Sequence, residues 1–172
     1  MAGRFRGDEF GKMDDKGRIV IPAPFRRVLA EHAAGPQVEV VFVFGPHLKD
    51  HAVAYTAKGF EQIEERAQAM APGQARTFFK RSVVGRSKTL VVDESGRIVL
   101  PAGVRARCGL PETLPKGETV PIAMSGEVDT FTLWRRDLFD AETETAEDLA
   151  AKLPEHFDIM QLLDDPDAVA WD

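Results

Sequence analysis

The chain has 172 residues and 44% hydrophobic content, enough for one domain or for two small halves that share a core. Its single cysteine, Cys108, excludes an intrachain disulfide and suits a reducing compartment, and no apolar run approaches the length of a membrane span. The formal net charge of −6 argues against a nucleic-acid partner only until its distribution is read.

Residues 1–27 hold seven basic and four acidic side chains, residues 76–107 hold eight and two, and residues 137–172 hold one and twelve. Positive charge is therefore concentrated in two stretches and the acid in the tail. Arg4 and Arg6 interrupt any apolar leader, so a cytosolic protein is expected.

In chain order, residues 4–10 and 12–13 read as extended and lead into a turn at Asp14-Asp15-Lys16-Gly17-Arg18. Ile19-Val20-Ile21 is a short β-branched strand, stopped by Pro22. A short helix follows over 24–32, with Phe25, Val28 and Leu29 on one side. The run 38–44 is a buried strand, and 51–55 returns beside it as a hairpin. Thr56 can cap a helix in which Phe60, Ile63, Ala67 and Met70 recur at helical spacing. Pro72-Gly73 ends it, and 75–83 reads as a second helix.

The order then repeats. A strand near 89–92 leads into Asp93-Glu94-Ser95-Gly96-Arg97, followed by a strand over 98–100, Pro101, a helix over 102–108, and strands near 119–124 and 130–134. The two turns match without a gap at an offset of 79 residues, with Asp, Gly, Arg, Ile, Val, Pro, Ala and a final Arg (Arg26 and Arg105) identical. Such a match marks an internal duplication. The organisation expected is a first half over 1–56, a helical connector over 57–83, a second half over 84–135, and an acidic helix and tail over 136–172. Within the tail, Phe157, Ile159, Met160, Leu162 and Leu163 can dock as a last turn or two. Each half alone is too small to close a core, so the halves should pair about a pseudo-twofold axis and interleave their strands.

The Asp14…Arg18 and Asp93…Arg97 pairs, the opening Phe5-Arg6-Gly7, the Lys16-Gly17-Arg18 turn and the late Phe131-Thr132-Leu133-Trp134 resemble the MraZ family, bacterial proteins with two AbrB-like halves in one chain. The resemblance covers roughly residues 4–150. It implies an α+β, mainly β fold: a duplicated AbrB-like, swapped-hairpin, pseudo-dimeric barrel with flanking helices, assembled into closed rings of several subunits. It also implies a transcriptional regulator in the cytoplasm and nucleoid, binding repeated double-stranded sites in the promoter of its own division and cell-wall gene cluster and usually repressing it. AbrB-like folds also serve as antitoxins, so a protein-interaction module using the acidic tail is the alternative.

The chemistry at the turns fits a DNA partner. Arg18 and Arg97 can bridge phosphates or read guanine bidentately, and an ion pair to Asp14 and Asp93 would orient them. Gly17 and Gly96 supply the positive φ that such a turn needs. Lys16, Arg86, Lys88 and Arg6 are the further DNA-contact candidates. Lys16 is replaced by Ser95 in the second copy, so the two turns are not expected to contact DNA identically. Arg26 and Arg105 are balanced between contact and structural pairing. Arg86-Ser87-Lys88 is unusually basic, and the loop over 110–118 is longer and richer in proline than the family pattern suggests, which bears on a subunit contact and the ring size.

No enzyme is expected. His47 and His51 fall in a hairpin turn without a third metal ligand, Cys108 lacks a histidine partner signature and reads as buried packing, and no phosphate-binding loop is present. No cofactor and no metal are implied.

Overall fold

The computed structural model describes residues 3–171. Residues 1, 2 and 172, where the expected first half opens and the expected tail closes, lie outside the described residues. The chain divides between Arg136 and Asp137 into two compact units.

The first unit is mixed α+β and dominated by antiparallel strands. It runs β1 (Asp8–Met13), β2 (Arg18–Val20), α1 (Ala23–Glu31), β3 (Glu39–Val43), β4 (His51–Tyr55), α2 (Ala57–Ala69), α3 (Gln74–Phe79), a π-helical turn (Lys80–Val84), β5 (Ser87–Val91), β6 (Arg97–Val99), α4 (Ala102–Arg107), β7 (Val120–Gly126) and β8 (Thr130–Arg135). Local chemistry explains the punctuation. Pro22 and Pro101 stand at the N-caps of α1 and α4, where a missing N–H costs nothing. Thr56 Oγ1 accepts from the Gly59 N–H at 3.0 Å and starts α2.

Six strands form one sheet in the order β1-β7-β8-β4-β3-β5, while β2 and β6 form a separate two-stranded ribbon. Strands pair across the repeat: β1 pairs with β7, Phe10 facing Ala123, and β3 pairs with β5, Val41 facing Thr89. The expected closed barrel is not formed. β1 and β5 stay at opposite edges of the sheet, because β2 and β6 turn out of it at Gly17 and Gly96 and pair with each other instead of bridging those edges.

One core serves both halves. Phe5, Phe25, Phe42 and Phe131 cluster with ring centroids 4.9 to 6.1 Å apart, in edge-to-face and tilted arrangements. Ile19 and Ile98 close that core from the ribbon, Val104 from α4 and Cys108 from just past its end. A smaller cluster of Val41, Val43, Phe60 and Val83 lies on the other face of β3, so α2 and the π-helical turn cover a second sheet surface as well as linking the halves. With Val40 and Phe42 facing the main core, β3 is buried on both sides, which accounts for its nearly unbroken apolar sequence.

The second unit holds most of α5 (Arg136–Ala150) and a 3-10 turn, Ile159–Leu163, capped by the Asp158 carboxylate on the Met160 N–H at 3.1 Å. Ile159, Met160 and Leu163, expected to dock, are instead exposed. No helix among the described residues is long and apolar enough to cross a membrane.

Candidate nucleic-acid interface

Each repeated turn is built by its own aspartate. In the first, Asp14 Oδ1 accepts from the Lys16 and Arg18 N–H groups, both at 2.9 Å, and the Gly17 N–H closes back on the Asp14 carbonyl at 3.0 Å. In the second, Asp93 Oδ1 accepts from Ser95 and Arg97 at 2.9 Å, and Gly96 closes on the Asp93 carbonyl at 2.9 Å. Gly17 and Gly96 have φ of +76° and +77°, a conformation that costs other residues a backbone clash. The strands leaving the turns pair antiparallel: Arg18 with Val99, Ile19 with Ile98, Val20 with Arg97.

That register decides which side chains face out. Alternation along a strand sends Ile19 and Ile98 into the core, and both are buried. It sends Arg18, Val20, Arg97 and Val99 to the opposite face, where Val20 and Val99 are 52% and 54% exposed. Two arginines and two valines thus alternate across one outward surface. Sequence reading passed over the valines, although their place two residues after each arginine was the signal.

The arginines differ in how they are held. Arg18 Nε donates to Asp14 Oδ2 at 2.7 Å, a short charge-assisted bond. Arg97 Nε stands 3.7 Å from Asp93 Oδ2, an ion pair without a hydrogen bond, and this Nε is shielded from solvent with no hydrogen-bond partner among the described residues. Burial works against ionisation of Asp14, but bonds from the Arg18 backbone and guanidinium and the Lys16 backbone outweigh it and lower its pKa. Asp93 is lowered chiefly by the Arg97 N–H, with Ser95 and the charges of Arg97 and Arg18 adding to the effect. The turns stand at opposite ends of the ribbon, where the Gly17 carbonyl accepts from the Leu100 N–H and the Gly96 carbonyl from the Ile21 N–H, both at 2.8 Å.

Arg26 and Arg105 also act across the repeat. Arg26, on α1, lies against Gly96, where an added Cβ would overlap its guanidinium, and it donates to the Ile21 carbonyl. Arg105, on α4, lies against Gly17, where a Cβ would stand 3.1 Å from Nη1. Each half's helix covers the turn glycine of the other half.

Lys16 is exposed in the first turn. The remaining candidates sit elsewhere. Lys88, Arg86 and Arg6 are exposed five, seven and eight residues before their turn aspartates, about 16, 23 and 26 Å along extended chain. The ribbon therefore gathers Arg18, Arg97 and Lys16 with Asp14, Asp93, Gly17 and Gly96, and leaves those three near the far ends of β5 and β1.

His51 stacks on Trp134 with ring centroids 4.4 Å apart, and burial, then the Arg107 charge, holds the His47 pKa below its usual value. No group of three metal-ligating side chains occurs among the described residues. Cys108 is fully buried. Its thiol donates to the Leu133 carbonyl at 3.3 Å, and burial pushes its pKa up to about 12, so it is an inert packing residue.

Residues 5–81 match the family model described as "MraZ protein, putative antitoxin-like". A protein of Ruegeria pomeroyi named Transcriptional regulator MraZ is 38% identical over 95% of this chain and 97% of its own length. A like-named protein from another Ruegeria strain is 37% identical over the same shares, and one from Cereibacter sphaeroides is 33% identical over 96% of this chain and 98% of its own.

Proposed function

The chain belongs to the MraZ family, and from that membership we propose that it is a sequence-specific DNA-binding transcriptional regulator. Its action is repression of the promoter of its own division and cell-wall gene cluster. Its ligand is a row of repeated double-stranded sites, contacted through the two Asp-x-x-x-Arg turns. It works in the cytoplasm at the nucleoid, without enzymatic activity.

The observation that carries this reading is the outward face of the β2–β6 ribbon. A two-stranded ribbon is narrow enough for the major groove. Arg18 and Arg97 offer bidentate donors to guanine or charge to phosphate, and Val20 and Val99 offer apolar contact to thymine methyls. Asp14 and Asp93 orient the arginines from behind, and Lys16 adds a phosphate contact. Arg6, Arg86 and Lys88 extend the footprint along the duplex beyond the turns.

The same reading takes residues 1–56 and 84–135 as two AbrB-like swapped-hairpin halves joined by 57–83, with 136–172 as a tail. Pairing of β1 with β7 and of β3 with β5 supports it, since each half lends a strand to the other. Several such chains close into a ring, so that neighbouring subunits engage neighbouring sites.

The test is a gel shift against the chain's own upstream region across a salt series. Binding should weaken with salt at a slope of about 0.9 per phosphate contact. Equal binding to unrelated DNA would remove the specific regulator.

A second reading has its own support. The tail unit exposes Ile159, Met160, Leu163 and Trp171 among acidic residues, a surface suited to a basic, apolar protein partner of the antitoxin kind. If that is the function, deleting residues after Pro154 abolishes partner capture and leaves DNA binding intact.

A further inference from the structure

The repeat is broken on one side by the segment 110–118, and it is broken at a turn. The Gly117 N–H donates to Asp15 Oδ2 at 2.8 Å, so a loop of the second half is bonded to the turn of the first. Arg105, which covers Gly17, donates to the Glu112 carbonyl in the same loop at 2.9 Å, and Leu114 packs on the main core. The first turn is therefore held by its own aspartate and by a brace from outside.

Among the described residues the second turn has no such brace. The counterpart of Asp15 is Glu94, which is exposed and makes no corresponding bond among the described residues. The segment between α1 and β3 spans only residues 32–38, where its repeat, between α4 and β7, spans 108–119. Where a brace would lie, beside Arg26, Arg27, Val38, Val92 and Asp93, there is an open cleft of about 310 Å³. Asp93, of the looser Asp93–Arg97 pair, lines that space.

Building on the DNA-binding reading above, we propose that Asp15 and the loop over 110–118 are positioning elements that hold the first turn in its DNA-contacting form before DNA arrives. The second turn has the same backbone bonds but only its own aspartate to hold it, and is the looser of the two. Ordering a loop at binding costs conformational entropy, and a turn ordered beforehand escapes that cost. The benefit falls mostly on the cognate site, where Arg18 must meet a base edge in one geometry, and little on random DNA, where phosphate attraction tolerates many.

Asp15→Ala removes the acceptor and the charge, whereas Asp15→Asn removes the charge and keeps an acceptor for the Gly117 N–H. Glu94→Ala is the control at the matching position. The first readout, without DNA, is amide exchange at Lys16–Arg18 and at Ser95–Arg97. In the parent and in Asp15→Asn the first set should exchange more slowly than the second. Asp15→Ala should speed the first set by roughly three- to tenfold, the effect of one hydrogen bond, and leave the second unchanged.

The second readout is affinity for a duplex that the parent enriches from a randomised pool, against a scrambled duplex of the same composition. Asp15→Ala should lose part of the preference and Asp15→Asn should keep it. A pure charge effect would instead tighten both variants on both duplexes, and that outcome overturns the proposal. Unchanged exchange in Asp15→Ala overturns it as well. A parent that enriches no sequence overturns the DNA reading and this role together, and slow exchange at Lys16–Arg18 would then mark a failure of function rather than of the brace.

Discussion

Asp14 and Arg18 meet at 2.7 Å, whereas Asp93 and Arg97 stand 3.7 Å apart across a turn of the same backbone. The side chains of the first pair are 35% and 30% exposed with the arginine given first, and those of the second 42% and 52%. The backbone bonds of the two turns agree to within 0.1 Å. Duplication has thus preserved what shapes the turn and released what surrounds it. The glycine and the aspartate do the shaping within five residues, and the surroundings come from distant chain that has diverged.

The deepest test of that equivalence is in the core. Ile19 and Ile98 face each other and are buried alike, so Ile19→Ala and Ile98→Ala should each cost about 2–5 kcal/mol and match within error in denaturant unfolding. Unequal costs would show that the shared interior is not symmetric.

On the outer face the two arginines are tested by binding rather than by stability. Under the proposed function, Arg18→Ala and Arg97→Ala should each weaken DNA binding, by about 1–3 kcal/mol if the side chain reads a base. Both variants should keep the fold, because exposed ion pairs contribute about 0–1 kcal/mol. Binding titrations beside melting curves check both parts. A variant that unfolds would make its arginine structural, and one that binds like the parent would remove it from the site.

The turn glycines rank next. Alanine at φ near +76° costs about 1–2 kcal/mol in either turn. Gly96→Ala should cost more than Gly17→Ala, since its Cβ overlaps the Arg26 guanidinium while the Gly17 Cβ keeps 3.1 Å from Arg105. Each kcal/mol lowers Tm by about 2–4 °C at this size. The reverse order in Tm would mean that Arg26 moves aside freely.

The smallest effect is with pH. Both aspartates have folded pKa values below their ordinary value. The stability they contribute is therefore complete above the ordinary carboxylate value, about 3.9, and is lost as pH falls through the folded pKa. Carboxyl titration by NMR should give both midpoints below about 3.9. A midpoint at or above that value for one of them would end the equivalence of the turns.

Much of the first unit was legible because its signals are local. The positive-φ glycines, the short strands stopped by proline and the Thr56 cap each rest on neighbouring residues. The pairing of β1 with β7 was open only in outline, because strands read alike whichever half they join. The open sheet was hidden because closing it depends on where β2 and β6 go after their turns. The cover of each turn by Arg26 or Arg105 had one sequence signal, their identity at the repeat offset. The Asp15 brace had none, since a backbone N–H in a distant loop leaves no trace in residue type.

The register of the ribbon has a further consequence. A half-turn about the axis between Ile19 and Ile98 exchanges Arg18 with Arg97 and Val20 with Val99, so the outward face carries no arrowhead. A duplex lying against it would meet the same chemistry from either end, and upstream would be indistinguishable from downstream. What restores a heading is the mismatch at the tips of the turns, an ammonium on Lys16 against a hydroxyl on Ser95. The brace on Asp15 and the tighter Asp14–Arg18 pair mark the same end, so Ser95→Lys would remove one of three differences that give the ribbon a direction.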